Sequence, residues 1–535
     1  MSKVDTSLSL AHPQAHGMRV LDKVGLGIGS LGLLLLLVAS FGAPLPNPGL
    51  WLTISLVAMA LGTVLYAHGI YSHLPEGIKN NGAWFKSMTS RGALGWITGI
   101  VLTGFYVLLY WFPAYLGLGA DGAANAGMVG FFDPLSYALK GQPASQWFVY
   151  GTLYTVAILA LGYKFIIKYR HNRYQTFRTL SVMFFQLGFA FLLPELLARL
   201  SMSNEALSSL PYNDFKNMWP LNYYFFDGWN IKAMLASGNL GLFMLLWGVA
   251  MIFIVSPFLT YFYGKRWYCS WVCGCGGLAE TAGDPYRHLS DKSLNAWKIE
   301  RWLIHVVLVF AVIMTVAVIY SFLYNEGGQM LINKQIFGWG VIALLGTLSI
   351  LAAINYKKWF PGKNRVVLYL AVGIMAVIAA LIGYAMGSGS SNVFFVDSYP
   401  LRKWYGFFVG AAFSGVIGVG FYPLLGSRVW CRFGCPMAAI LGIQQRFFSR
   451  FRITTNGSQC ISCGNCSTYC EMGIDVRSYA QKGQNIVRAS CVGCGICAAV
   501  CPRGVLRLEG GPEIGQRTEE LRSIHISADE VKLMM

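Results

Sequence analysis

"VGLGIGSLGLLLLLVASFGA" runs from Val24 to Ala43 without a charged residue. A helix that crosses a bilayer needs about 20 apolar residues, and this stretch meets that length. It is longer than the apolar core of a secretory signal, so it is expected to persist as a first span. Further runs of similar character lie near 50–71, 93–117, 147–166, 179–200, 239–263, 302–324, 335–356, 366–387 and 404–425. The 535 residues are 55% hydrophobic and only 12% charged, where a soluble domain carries about 25% charged residues. The expected fold is an all-α polytopic membrane bundle of about ten transmembrane helices. Proline and glycine inside two runs, "FLLPELLARL" (191–200) and "FYPLLGS" (421–427), predict bends.

The net charge is +18. Such a balance often signals nucleic acid, but membrane proteins concentrate Lys and Arg on their cytoplasmic side. With the N-terminus inside, the outer loops and span ends hold seven basic residues, the inner loops and N-terminal tail 21, and the segment from Gly426 onward 13. The expected location is the bacterial cytoplasmic (inner) membrane, multi-pass, with both termini cytoplasmic; lipid is a partner and nucleic acid is not. Two outer segments, 118–146 and 201–238, are long. The second contains "LPYNDFKNMWPLNYYFFDGWN" (210–230) and is expected to lie along the outer surface as an aromatic belt. The alternatives are a docking face and a lip over a quinone pocket.

All 13 cysteines fall on the expected inner side. "CISCGNCSTYC" (460–470) and "CVGCGICAAVCP" (491–502) both have the spacing C-x2-C-x2-C-x3-C of a bacterial two-cluster ferredoxin. In such pairs the remote fourth cysteine ligates the other cluster. Cys460, Cys463, Cys466 and Cys501 are therefore expected to hold one [4Fe–4S] cluster, and Cys491, Cys494, Cys497 and Cys470 a second. Proline follows Cys501 as the pattern requires, whereas Glu471 replaces it after Cys470. Disulfides are disfavoured on a reducing side of the membrane, and zinc knuckles use paired C-x2-C units instead.

The remaining cysteines form a second class. "KRWYCSWVCGCGG" (265–277) follows the sixth run and "SRVWCRFGCPMA" (427–438) the tenth. Each has an aromatic residue, then C-x3-C, then Gly or Pro. An internal repeat explains this: spans three to six end in one motif and spans seven to ten in the other. Parallel repeats are related by an axis along the membrane normal, which would bring Cys269, Cys273, Cys431 and Cys435 together at the inner face. They are candidate ligands of a third iron centre, with Cys275 as a spare ligand. The alternatives are small buried apolar residues and a redox-active dithiol.

A polytopic core with two C-x3-C motifs followed by a two-cluster ferredoxin domain resembles the membrane iron–sulfur proteins of the NosR/NapH type, over roughly 239–510. The resemblance implies electron transfer between the quinone pool and a redox partner. Gly274 stands where the motif has proline, and no outer flavin-binding domain precedes the spans. Two additional spans and an inner loop, "SHLPEGIKNNGAWFKSMTSRGALGW" (72–96), lead instead.

Ionisable groups inside a membrane are functional candidates. Glu195 is a candidate quinol proton acceptor; the alternative is an i,i+4 pair with Arg199 closing a helix end. His68 and His305 invite a haem reading, but the eight scattered histidines give no repeated pair, so haem is not expected. No nucleotide-binding fingerprint is evident. The expected organisation is an N-terminal two-span extension (1–92), a first four-span repeat (93–301), a second (302–445), a cytoplasmic two-cluster ferredoxin domain (446–510) of small α+β type, and a linker with an amphipathic tail (511–535). The expected function is a subunit of a quinone-linked membrane oxidoreductase. It would relay electrons between a cytoplasmic flavin/NAD(P)H- or ferredoxin-type partner and either the quinone pool or an outer-side cytochrome. Alternative functions are a redox-driven ion pump and an iron–sulfur assembly, metal-reductase or redox-sensing protein.

Overall fold

The computed structural model describes residues 18–42, 45–74, 76–77, 86–120, 123–326, 332–359, 365–511, 523–526 and 531–534. Residues 78–85 of the leading inner loop and most of the C-terminal tail lie outside them. Among the described residues, nine helices are long and apolar enough to cross a membrane. They are α1 (Val20–Ser40), α2 (Pro48–Tyr71), α3 (Ala93–Trp111), α4 (Gln146–Lys168), α5 (Arg173–Ser203), α6 (Gly238–Tyr263), α7 (Leu294–Asn325), α8 (Lys334–Ile354) and α9 (Arg365–Ser388). Each coincides closely with an expected span.

The bundle is apolar on the outside, as a lipid-solvated exterior requires: Leu34, Ile100, Val101, Ile254 and Ile350 are all exposed. Helix α7 is its central post. Of its most apolar window 61% is buried, against 6% for α8, so α8 and α9 form a peripheral, lipid-facing pair. Helices α1 and α2 approach closely through glycine. A Cβ on Gly62 would stand 2.5 Å from the Gly29 Cα, and one on Gly25 2.5 Å from the Tyr66 nitrogen. Small residues permit this contact where no hydrophobic force drives helices together.

The tenth expected span, 404–425, is not a uniform helix. The chain is helical over Ser398–Tyr405, continues as a wider π-type stretch over Gly406–Ile417, turns, and resumes at Tyr422–Leu425. Arg402 and Lys403 occupy its first turns, and glycine lets the rest press against α3. A Cβ on Gly415 would meet the Tyr106 ring at 2.8 Å, and one on Gly420 the Thr103 hydroxyl at 2.5 Å. Helix α5 widens likewise over Phe185–Leu192, just ahead of Pro194, whose missing N–H interrupts the ladder.

The two C-x3-C segments fold alike. Gly264 (φ 65°, ψ −177°) and Gly426 (φ 96°, ψ 168°) precede them at equivalent positions. That backbone region is essentially closed to residues with a Cβ. Cys273 and Cys435, both extended, then open helices at Gly274–Thr281 and Pro436–Phe447. The first of these helices turns back into the bundle, where Gly277 lies against Ile158 of α4 and Val182 of α5.

The C-terminal domain is closed by an antiparallel pair, β1 (Arg452–Thr455) and β2 (Leu506–Glu509), in register Arg452↔Glu509 to Thr455↔Leu506. This pair joins the start of the domain to its end. The tail, expected as a linker with an amphipathic end, instead contains a second antiparallel pair, β3 (Ser523–Ile526) and β4 (Val531–Met534).

The segment 201–238 departs most from expectation. Its centre leaves the surface and enters the bundle. Lys216 and Met218 are buried, the Tyr268 hydroxyl donates to the Lys216 carbonyl at 2.9 Å, and Trp219 Nε1 donates to Thr315 of α7 at 2.9 Å. Each of these partners satisfies a polar group that water would otherwise have to reach.

The paired glycines yield a test. Alanine at Gly264 or Gly426 would occupy a forbidden backbone region and strike Gln445 and Phe451, or Ser290, within 3.0 Å. Each change is expected to cost about 1–3 kcal/mol, read as a lowered thermal midpoint in detergent. An unchanged midpoint in both variants would show that the turns tolerate a Cβ.

Candidate iron–sulfur sites

Thiols collect into three groups. Cys460, Cys463, Cys466 and Cys501 line one hollow together with Ile461, Arg477 and Arg503. Burial, followed by the neighbouring Cys501, pushes the Cys466 thiol up to about 12. The second group forms around Cys497, which is pushed up by burial and by Cys494, Cys491 and Cys470, with Cys466 of the first group also nearby; burial pushes Cys470 up to about 11. The remote cysteine of each run thus lies with the other run's triplet, as the spacing predicts. In the third group, Cys269 is a neighbour of Cys273 and Cys431, and Cys435 of Cys431, Cys269 and Cys273. The two C-x3-C pairs, 162 residues apart in sequence, do meet.

Cys275 belongs to this third group. Its thiol donates to Cys273, and this bond is the largest cause of a Cys273 pKa lowered to about 6. Burial pushes Cys269 up to about 12 and Cys431 and Cys435 upward as well. Thiols bind metal as thiolates, so a metal at this group would release protons. The group lies deeper than the inner membrane face expected for it, because Cys275 neighbours Tyr106 of α3 and Tyr150 and Tyr154 of α4. Lys216 lies against the same segment at Gly274, beside Tyr154. Its Nζ donates to Gln186 Oε1 at 2.8 Å, and a Cβ on Gly274 would stand 2.6 Å from that Nζ.

The second thiol group is clamped onto the bundle. Gln445 Nε2 donates to the Cys491 carbonyl at 2.8 Å, the Ser270 hydroxyl to Val492 at 2.9 Å, the Tyr174 hydroxyl to Gly493 at 2.8 Å and Gln175 Nε2 to Cys494 at 2.9 Å. Four consecutive carbonyls are therefore satisfied by four bundle side chains, leaving the loop rigid and its carbonyls turned outward. Ser270 follows Cys269 directly, so the second and third groups lie on either side of one short loop.

A buried ion network locks the same joint. Glu471 is held by Arg287 Nη1 at 2.6 Å and Arg428 Nε at 3.0 Å. Arg428 also pairs with Glu280, as does Arg178 of α5. Asp284 takes Arg287 at 2.9 Å and Lys168 at 2.7 Å. Burial alone would raise Glu471, but Arg287, Arg428 and Arg178 overcome it and hold the carboxyl below its ordinary range. Asp284 is likewise held low against burial, by Lys168 and Arg287. Glu280, Glu471 and Cys494 come within 4.8 Å of one another. The adjacent guanidinium groups already compensate the two carboxylates, which makes this an ion-pair core, with Cys494 left to the thiol set. The residue that replaces the ferredoxin proline is thus the plug that seats the domain.

Glu195 sits elsewhere. It is buried, accepts from the Tyr212 hydroxyl at 3.1 Å, and has one carboxylate oxygen without a partner. Arg199 donates instead to the Ala138 carbonyl at 2.7 Å, so the i,i+4 pair does not form. Beside Glu195 lies a cavity of about 280 Å³ whose lining includes Gln142, Pro194, Ser201, Tyr212 and Asn213. His68 Nδ1 is 3.1 Å from the Tyr163 hydroxyl, and His305 Nδ1 is 2.6 Å from the Arg301 carbonyl. Sequence reading missed Lys216, Ser270, Gln175 and Gln445; the only signal was their closeness in sequence to cysteines or aromatic runs.

Glu471→Gln removes one charge from a compensated buried network, which is expected to cost about 3–5 kcal/mol. The domain should loosen first. Limited proteolysis would then cleave near residue 450 faster than in the wild type, and equal cleavage rates would show that the network does not hold the joint.

Comparison with known proteins agrees with these groups. The family described as "4Fe-4S dicluster domain" matches residues 459–506. The family described as "4Fe-4S binding domain" matches twice, at 244–293 and 406–454, each time a span followed by its C-x3-C motif. The "Putative electron transport protein YccM" of Escherichia coli (strain K12) is 24% identical over 267 residues, covering 48% of this chain and 56% of that protein. The chain thus matches little more than half the length of this relative. No solved structure matches. With its span-length helices and three thiol groups, the chain is a polytopic membrane iron–sulfur protein with ferredoxin-type 4Fe-4S binding domains.

Proposed function

We propose that the protein relays electrons between a cytoplasmic redox partner and the membrane, with a quinone as the membrane-side substrate. One observation carries the reading: the three thiol groups adjoin one after another, Cys497 of the second neighbouring Cys466 of the first, and Ser270, next to Cys269 of the third, holding Val492 beside Cys491. The first opens to solvent at its hollow, the second is clamped on the bundle, and the third lies inside the bundle on the other side of Ser270. Iron–sulfur clusters held by such sets are one-electron carriers whose potentials follow burial and hydrogen bonding. In this reading Cys460, Cys463, Cys466 and Cys501 hold the first cluster, and Cys491, Cys494, Cys497 and Cys470 the second. Cys269, Cys273, Cys431 and Cys435, with Cys275 beside them, hold a third iron centre. The donor sets fit, because each gathers at least four sulfurs with no competing carboxylate inside the first or third.

The protein's own residues prepare these places. Backbone N–H groups reach sulfur at two of them: Ile474 donates to Cys470 Sγ and Ala438 to Cys435 Sγ, both at 3.4 Å. Such bonds stabilise a negatively charged sulfur. The clamped second loop keeps water from between the second and third groups.

On the membrane side, quinol oxidation releases two electrons and two protons as both hydroxyl O–H bonds break. Glu195, hydrogen-bonded to Tyr212 of the cavity wall, is the proposed acceptor of one proton, taken through that hydroxyl; the other goes to water at the open side. The electrons leave singly toward the third group. Tyr212, on the cavity wall, is four residues from Lys216, which at full extension spans at most about 14 Å. Lys216 itself rests on Gly274, next to Cys273.

Iron quantitation and EPR test the core of this reading. The wild type is expected to hold more than eight irons per chain, about four for each ferredoxin set. A Cys431→Ser, Cys435→Ser variant should lose one distinct signal while keeping the two ferredoxin signals. Eight irons and an unchanged spectrum in that variant would remove the third centre. Glu195→Gln should slow reduction of the clusters by a soluble quinol at least tenfold and leave reduction by dithionite unchanged. Equal rates with quinol would dismiss Glu195.

A further inference from the structure

The rim of the first thiol hollow has a charge pattern unlike the rest of the C-terminal domain. Ile461, between two cysteines of the set, is 51% exposed. Arg477 and Arg503 line the hollow, and both are exposed. Lys482 and Arg507, also exposed, are each next in sequence to a residue at it. Lys482 directly follows Gln481, whose Nε2 holds Ser462 at 2.8 Å, and Arg507 follows Leu506 of the hollow wall. Among the described residues none of these four cations is in a salt bridge.

The nearby acids do not balance them. Asp475 accepts from Ser467 at 2.7 Å, Glu509 faces Arg452 at 4.0 Å, and Glu471 is sealed in the ion network. An exposed apolar side chain ringed by unpaired cations, directly over a set of thiols, is a docking face: the cations steer and orient, and the apolar centre makes contact. The second thiol group faces the bundle, so this face points away from it.

The geometry points to a small acidic one-electron carrier, of the flavodoxin or ferredoxin class, docking on this rim. The inference rests on the reading that Cys460, Cys463, Cys466 and Cys501 hold iron. It narrows the cytoplasmic partner to a diffusing anionic protein. In the step, one electron supplied from quinol at the membrane end passes from the iron held there to the oxidised carrier. The iron is oxidised by one electron and the carrier reduced by one, no bond or proton moves, and a reduced carrier drives the same step in reverse. Docking would lay acidic groups of the carrier against Arg477, Lys482, Arg503 and Arg507, with its exposed prosthetic edge over Ile461.

Stopped-flow reduction of the full-length protein in zwitterionic detergent tests this, with photoreduced flavodoxin as donor and cluster bleaching as readout. The second-order rate is expected to fall at least tenfold between about 20 mM and about 500 mM NaCl, as screening removes the steering. Arg477→Glu with Arg503→Glu should lower the low-salt rate at least tenfold and flatten the salt dependence. EPR signals and reduction by dithionite should stay as in the wild type. Lys482→Glu with Arg507→Glu, set back from the thiols, is expected to act in the same direction, and serves where the first pair loses iron. A rate independent of salt, or charge-reversed variants reduced as fast as wild type, would overturn the proposal. So would variants that lose binding only to anionic vesicles, which would assign the rim to lipid. An iron-free wild type, visible in the absorbance before mixing, would overturn instead the reading beneath it, and the proposal with it.

Discussion

The thiol-bearing face depends on how one buried carboxylate is compensated. Glu471 is fully enclosed, and a carboxylate in that position costs several kcal/mol unless matched by well-placed partners. Its partners come from two places: Arg287 from the loop after the first C-x3-C motif, and Arg428 from just before the second. Arg428 and Arg178 then share Glu280, and Arg287 and Lys168 share Asp284. Four cations thus face three carboxylates across elements of both repeats and the C-terminal domain. Buried ion pairs are weak sources of net stability but strict about geometry. The network therefore acts chiefly as a register device: only one placement of the domain leaves no charge unpaired. That placement presents Cys491 to Cys494 to the four bundle donors.

The surplus positive charge matters for chemistry as well as docking. Thiolate–iron clusters are anionic, and cations at the second group lower the cost of holding one in a buried setting. Burial pushes the thiols of Cys466 and Cys470 upward. Iron is bound by thiolate, so filling these sites would release protons and be linked to pH and to folding of the joint.

Much of this was legible in sequence, and the failures share a cause. Spans follow from the local rule of apolar length, and cluster sets from local spacing, so α1 to α9 and the eight ferredoxin cysteines stood out. The repeat was visible because the aromatic and cysteine positions of the two motifs recur at one offset; Gly264 and Gly426 recur at that offset too, but their role shows only in the backbone. Glu471 was visible only as an anomaly, since its meaning depends on Arg287 and Arg428, which are 184 and 43 residues away. Arg199 looked like a partner for Glu195 because helical spacing allows it; Tyr212 won because its segment folds over the end of α5. The aromatic run 210–230 read as an interfacial belt because composition cannot distinguish rings facing lipid from rings packed on α7 through Trp219 and Thr315.

On the proposed reading, the path of that segment bears on the distance electrons would have to cover between a quinol and the buried thiols. Helix α6 has 26 residues, which at 1.5 Å each is about 39 Å, and a centre at one membrane face would leave nearly that gap to a quinol at the other. The chain closes the gap from both ends. After α6 the first C-x3-C segment turns back, so that Gly277 reaches Ile158 in the middle of α4. From the other end the segment after α5 descends until Lys216 meets Gly274 and Gln186. Both intrusions are of non-helical or short-helical backbone, which hydrocarbon does not tolerate unless each polar group is met by protein. The Tyr268–Lys216, Trp219–Thr315 and Lys216–Gln186 bonds meet that condition. The cost of bringing irregular chain into the bundle is thus offset locally, and what it achieves is proximity: the cavity beside Glu195 and the buried thiols end up one short stretch of chain apart instead of a membrane apart.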